Sequence, residues 1–426
     1  MSGECPYLAR EEHPLADPAQ GRCSECGRPL VSCAHCHTPN RVLARYCRHC
    51  GSALQSRGWS TRGGQSGAPA LRASLALDSD LPAAWVYQSS QSQPVAGSPL
   101  VTSELMVRLD RQGRVEIFAA PTGPAPLHSK PLPGVTEVVA SPALLDELLL
   151  VAAQDRLYAA DLVDLLEVSP GSGTRKRVIE LQGNVCSHVA SDGRRYAALA
   201  TSSEDSAWLH VFELTRQGLQ LLWKRSPGRL HPEHAFLALA IVGDHLLAAE
   251  GGGSLFSYHI PDGRSLGEAR LPTPLAPCPL LGRTDFALVA ASDGALYRLD
   301  PAGGAPLAIC EPSPQPLFAL GASQEDVVSC HGRMLRRVNL HSGRVSHQQI
   351  PQHCTSEPLV VGNRALVAAA DGTAYLLELS PDHFQVLASR KVLSPPEPGG
   401  VSPVLTSTHL FVSDAWGGVA ALPLQV

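Results

Sequence analysis

At 426 residues and a net charge of −5, the chain is long enough for two or three domains, or for one large repeat fold with an appendage. No window approaches the uninterrupted apolar length of a membrane span, and the first thirty residues lack the basic start and apolar stretch of a signal peptide. A cytosolic protein is expected, not a secreted disulfide framework, and the aromatic content of 5% leaves little material for base-stacking platforms or a quinone sandwich.

Seven of the twelve cysteines fall in the first fifty residues, whereas Cys186, Cys278, Cys310, Cys330 and Cys354 stand singly, so metal in front and free thiols behind is the expected division. Cys33, Cys36, Cys47 and Cys50 follow Cys-x2-Cys-x10-Cys-x2-Cys spacing. Each pair lets two sulfurs of one tight turn face one ion, which predicts a structural, tetrahedral zinc site. Cys23-Ser24-Glu25-Cys26-Gly27-Arg28-Pro29-Leu30 repeats Cys47-Arg48-His49-Cys50-Gly51-Ser52-Ala53-Leu54 almost position for position. It predicts the closing knuckle of a second site, with Cys5 and His13 as the best-placed upstream donors. Arg22, Arg28, Arg41, Arg45, Arg48 and Arg57 crowd this segment against the lone acid Glu25, partly balancing the thiolates. The stretch CAHCHTPNRVLARYCRHCG resembles the zinc-ribbon family, with Tyr46 where such ribbons place a packing residue. The resemblance implies one or two structural zinc ions in residues 1–55; double ribbons usually open on another Cys-x2-Cys, from which Cys5-Pro6-Tyr7-Leu8 departs.

Residues 56–80, beginning SRGWSTRGGQSGAPALRASLA, are rich in Gly, Ser and Arg and read as a flexible linker. From Leu81 onward, short aliphatic runs are broken by Gly, Pro, Asp and Asn with no sustained helical period, an all-β signature. One pattern recurs eight times: a Pro-aliphatic step, a short apolar strand, a Gly-containing turn, a second strand and another turn. The step stands at Pro99-Leu100, Pro142-Ala143, Pro279-Leu280, Pro316-Leu317, Pro358-Leu359 and Pro403-Val404, and two copies lack it. The second strands are expected to begin near Val115, Leu157, Leu209, Leu255, Leu296, Leu335, Ala374 and Val419. The clearest copy is SDGALYRLDPAGG, where Asp293-Gly294 is expected to supply the positive-φ residues of a tight hairpin.

These repeats resemble the quinoprotein-like, or PQQ-like, β-propeller family over residues 81–426, which implies four-stranded blades around a ring. Eight blades are expected, or seven if Leu162–Gln182 is an insertion. The last copy ends about one strand short, while Ala84-Trp85-Val86-Tyr87 stands as an orphan strand ahead of the first repeat, so the two ends are expected to meet in one blade. The tryptophan-docking pattern of quinoprotein dehydrogenases is missing: the five tryptophans, at 59, 85, 208, 223 and 416, do not recur with the blades.

No nucleophile elbow, His-Glu-x-x-His or phosphate loop is found; Pro170 to Lys176 lacks the Gly-Lys-Ser/Thr order. Gly251-Gly252-Gly253 occupies a hairpin position, and His231, His234, His331, His341, His347 and His353 are expected in solvated loops. The expectation is a non-enzymatic, cytosolic scaffold or sensor subunit without pyrroloquinoline quinone, with propeller and ribbons docking separate protein partners. The alternatives are a nucleic-acid-associated factor touching phosphates through the ribbon arginines and, less favoured, a cofactor-dependent propeller enzyme.

Overall fold

In each repeat the apolar runs are too short for helices and are punctuated every few residues by residues that favour turns, so the backbone groups are satisfied between adjacent runs as antiparallel ladders. The computed structural model describes residues 30–33, 36–41, 85–88 and 94–423. Within the last range 103–104, 120–122, 147, 167–175, 204–205, 216–217, 228–236, 277–279, 284, 314–316, 318, 355, 381–383, 396–400 and 406–408 lie outside the description. The strands form an eight-bladed β-propeller. Blades 1 to 7 span 100–131, 143–180, 184–225, 237–270, 281–310, 319–349 and 359–391, and each runs in chain order from its innermost to its outermost strand. In blade 3 the innermost position is divided between Asn184–Val185 and Ala190–Ser191, which both pair with Tyr196–Ser203.

Blade 8 is made from both ends of this region. Val401–Leu405, His409–Asp414 and Val419–Pro423 supply three strands, and Trp85–Tyr87 supplies the outermost, with Trp85 opposite Ala421 and Tyr87 opposite Val419. The expected joining of the ends is therefore present. The seven-blade alternative is overturned, because the irregular stretch after Asp161 lies inside blade 2: a short helix, Leu162–Leu166, precedes Lys176–Glu180, which pairs with Arg156–Ala160 as the blade's outer strand. The strands expected as second in each repeat are third, since the Pro-aliphatic step opens a short innermost strand of its own. Pro403 lies within such a strand, on a sheet edge, where its missing N–H interrupts no ladder.

A single turn recurs between second and third strands. The amides of Gly113, Gly253, Gly294, Gly372 and Gly417 each donate to the carbonyl three residues earlier, at Asp110, Glu250, Ala291, Ala369 and Asp414. These glycines all have positive φ, from 81° to 97°. Asp293 does not share that conformation; its carboxylate accepts the Ala295 amide at 3.0 Å instead. The Gly251-Gly252-Gly253 stretch is confirmed as the same turn in blade 4.

Because each blade is sandwiched between two others, alternate residues of one strand enter two different cores. In blade 5, Leu288 and Leu296 pack toward blade 6 with Leu320 and Val327, while Val289, Tyr297 and Leu299 pack toward blade 4 with Ala240 and Leu247. Burial on both faces explains why the second strands read as unbroken aliphatic runs instead of alternating ones. Eight clusters result, one per seam. The seam between blades 8 and 1 joins Met106 and Phe118 to Phe411 and Val419, with Trp85 and Tyr87 against it.

Polar side chains tie several seams to the neighbouring backbone. The Tyr158 hydroxyl donates to Gly134 O at 2.8 Å, and Arg336 reaches from blade 6 to Gly294 O and Glu311 O in blade 5. Its sequence neighbour Arg337 points the other way, pairing with Asp326 at 2.9 Å and donating to Ser380 O of blade 7. Among the described residues no helix is long and apolar enough to cross a membrane.

Candidate ligand cavity and metal knuckle

Antiparallel order places the turns between second and third strands on the same face of the ring as the connections that lead from one blade's outer strand to the next blade's inner strand. These two sets of loops are hydrogen-bonded to each other: Val95 N donates to Ala415 O, Arg111 N to Pro94 O, and Ser292 N to Pro274 O. Short loops leave a recess over blades 7, 8, 1 and 2, a cavity of about 510 Å³. That size lies within the range typical of ligand pockets.

The cavity's charged side chains are Glu137, Glu357, Asp414 and Arg111. Its neutral wall includes Val95, Val138 and Val139 and the hydroxyl residues Ser98 and Ser141, which precede the Pro-aliphatic steps of blades 1 and 2. Asp414 is only 1% exposed. Its Oδ1 accepts the amides of Trp416 at 2.9 Å and Gly418 at 2.7 Å, and its Oδ2 is buried without a hydrogen-bond donor among the described residues. Gly418 is required beside it, since a Cβ there would stand 2.4 Å from Oδ2. Asp110, at the equivalent turn of blade 1, accepts the Gln112 and Arg114 amides through one oxygen in the same manner.

Next to Asp414, Arg108 donates to Gly417 O and is ion-paired with Glu116, both side chains being nearly inaccessible to water. Glu116 also accepts from Tyr87 Oη at 3.1 Å and Ser129 Oγ at 3.3 Å. These partners offset part of the cost of burying the pair, although Arg108 Nε has no hydrogen-bond partner among the described residues.

In the head, Leu30–Ser32 pairs antiparallel with Pro39–Arg41, and Cys33 and Cys36 lie in the connecting turn. Cys33 N donates to Thr38 O at 3.0 Å, His37 N to Cys33 O at 2.8 Å, and Cys36 Sγ to Thr38 Oγ1 at 3.2 Å. A positive φ at His37 closes this turn. Cys33 and Cys36 thus lie on one hairpin turn; Cys47, Cys50, Cys23, Cys26, Cys5 and His13 lie outside the described residues.

The singly placed cysteines at 186, 310, 330 and 354 are free thiols. Burial pushes the Cys186 thiol up to about 11 and raises Cys310, while burial and the adjacent Cys354 raise Cys330 well above its ordinary value. All three are thereby poor nucleophiles.

The histidine expectation holds only in part. His341 and His353 are exposed loop residues; His347 is exposed but lies in blade 6's outer strand, Val345–Gln349, and His331 is buried at the end of that blade's second strand, with Nε2 at 3.0 Å from Ser329 Oγ. The alternation of that strand carries it into the ring, which its nearness to Gly332 in the sequence concealed. His231 and His234 lie outside the described residues. Sequence reasoning missed Glu137, Glu357 and Asp414 as a group because they lie in the connections leading into blades 2 and 7 and in the turn of blade 8. The only local signal was the repeated Asp-x-x-Gly turn of blades 1 and 8.

No protein-family model and no curated protein sequence matches the chain. Solved structures show similarity of fold. The computationally designed Ika8 protein superposes with a TM-score of 0.63 at 14% identity, over 80% of this chain and 99% of that one. Sqt1 of Saccharomyces cerevisiae gives 0.58 at 9% identity, over 80% and 98%, and the C-terminal WD40 domain of Sif2 gives 0.57 at 12%, over 76% and 93%. At these identities the likeness extends to the β-propeller architecture.

Proposed function

We propose that this chain is a non-enzymatic, cytosolic protein-interaction scaffold or sensor subunit, in which the propeller docks one partner and the zinc-ribbon head another. The observation that carries this reading is the cavity of about 510 Å³, recessed into the loop face of a disc whose seams are closed by packing and cross-blade hydrogen bonds. A rigid frame presenting short loops spends little entropy on ordering when a partner docks. The strand Trp85–Tyr87 runs toward the loop face and so enters blade 8 from the opposite face. The PQQ-like pattern of the repeats is consistent with the propeller, without the cofactor.

The Cys33–Cys36 hairpin supports a structural zinc ion completed by Cys47 and Cys50, and the second knuckle, Cys23 and Cys26 with Cys5 and His13, supports another. Four thiolates close the coordination sphere and leave zinc the role of holding a surface. Elemental analysis of the purified chain should give one to two zinc per molecule. Cys33→Ser should release metal while leaving the propeller's melting transition in place; a propeller transition lowered by several degrees would break the two-module reading.

Affinity purification from native cells, with the full chain and with residues 1–70 removed, tests the function: one partner set should depend on the head and another persist without it. Head-dependent partners that proved to be nucleic acids lost steeply with added salt would favour the arginine-rich ribbons as a phosphate-binding surface.

A further inference from the structure

We infer that the loop-face cavity receives the side chain of a lysine or arginine, presented by an extended segment of a partner protein; this rests on the docking reading above. Among the described residues that line the recess, Glu137, Glu357 and Asp414 are acidic and Arg111 is the one cation, so the lining is predominantly acidic. Asp414 adds more than a count. Its Oδ2 is buried without a donor among the described residues, and the guanidinium beside it, Arg108, is committed to Glu116. A carboxylate whose Oδ2 is buried behind the cavity wall is poorly screened by water, so its field reaches into the recess.

The neutral wall fits the same ligand. Val139 is 45% exposed although it is aliphatic, and Val138 lies beside it in the cavity. Lysine and arginine lay methylene stems along apolar surface while the charged head finds acceptors, and this recess offers both. A phosphate group or nucleic acid would meet like charge there and be repelled. The volume exceeds one side chain, leaving room for the backbone on either side of it.

The full chain is tested against immobilised dodecapeptides whose central residue is Arg, Lys, citrulline or Glu and whose flanks are small and neutral. Arg or Lys peptides should be retained at least about tenfold better than citrulline or Glu peptides. The Glu137→Gln, Glu357→Gln double variant should lose that preference, and Glu137→Gln alone, at a water-exposed residue, should weaken it while melting as the parent does. Asp414→Asn, which keeps an oxygen for the Trp416 and Gly418 amides, should weaken it in the same direction. Charge-blind retention by the parent, an unchanged preference in the double variant, or capture of a DNA oligonucleotide that Arg111→Ala abolishes would each overturn the assignment. If the peptides show no preference while propeller-dependent partners persist in cells, the cavity chemistry falls and the docking reading stands; if no partner depends on the propeller, both fall.

Discussion

Blade 2 and blade 8 carry the same four antiparallel strands, but the chain links them differently. In blade 2 the third strand leads to the outer strand Lys176–Glu180 directly along the chain, and five residue pairs hold the two together. In blade 8 the third and outer strands are joined by no turn: Trp85–Tyr87 comes from the other end of the propeller, roughly 330 residues away, and is held by three pairs. Bringing such distant segments together costs on the order of 5 kcal/mol in chain entropy, more than a three-pair ladder supplies. The side chains make up the difference. Trp85 stacks on Phe118 at 6.2 Å and meets Phe411 edge-on at 5.9 Å, and Tyr87 lies edge-on to Phe118 at 5.0 Å. Val86, on the other face, is 47% exposed, so the strand is anchored from the blade 1 side alone. The seam that closes the ring thus combines this aromatic cluster with a buried ion pair, Arg108–Glu116.

Removing that strand should therefore have the largest effect of any change. A chain lacking residues 1–87 is expected to accumulate in the insoluble fraction, while one lacking residues 1–70 keeps the parent's melting transition. Equal recovery of the two would show that the aromatic anchors are dispensable and would erase the distinction between the blades. Next in size is the ion pair at the same seam. Glu116→Gln leaves the Arg108 charge buried and half-satisfied and should cost about 3–5 kcal/mol in urea unfolding. Replacing both partners, Arg108→Met with Glu116→Leu, should recover most of that loss. The exposed pair Arg195–Glu213 of blade 3 is the control, and Glu213→Gln there should cost less than about 1 kcal/mol.

The ring was legible in the sequence because each repeat announces its own turn. The Asp293-Gly294 hairpin, the Pro-aliphatic steps at Pro99, Pro142 and Pro358 before inner strands and the orphan Trp85 strand are local signals that correspond to observed elements, while Pro403 falls inside its strand. The cavity was not legible, since Arg111 and Asp414 lie in the turns of blades 1 and 8 while Glu137 and Glu357 lie in the connections leading into blades 2 and 7, and they converge only once the ring closes. Arg108 and Glu116 were hidden for a related reason. They sit on facing strands of one blade, Leu105–Leu109 and Arg114–Ala119, and are directly paired, yet the burial that makes them consequential comes from blade 8. His331 misled because a residue next to a glycine turn can still belong to the strand's inward face.

His210 extends the comparison to a seam that the chain crosses without a break. It lies between blades 2 and 3, stacked on Phe212, with Nε2 at 3.0 Å from Thr201 Oγ1. Where the closing seam carries an ion pair, this one carries a neutral polar pair. Burial, and secondarily the charge of Lys224, lowers the imidazole pKa from 6.5 to about 4. With its folded value below the unfolded one, the histidine stays neutral in the native chain while the unfolded chain takes up a proton. Stability is accordingly intact above about pH 6.5 and is lost as pH falls toward 4, below which both states are protonated and no further loss accrues. The loss should be on the order of 2 kcal/mol, less than the full shift implies because the ring is not completely shielded. His210→Gln cannot titrate, so its deficit against the parent in urea midpoints should shrink between pH 7 and pH 4.5. A constant deficit would mean that water reaches the imidazole and that this seam is looser than the one that closes the ring.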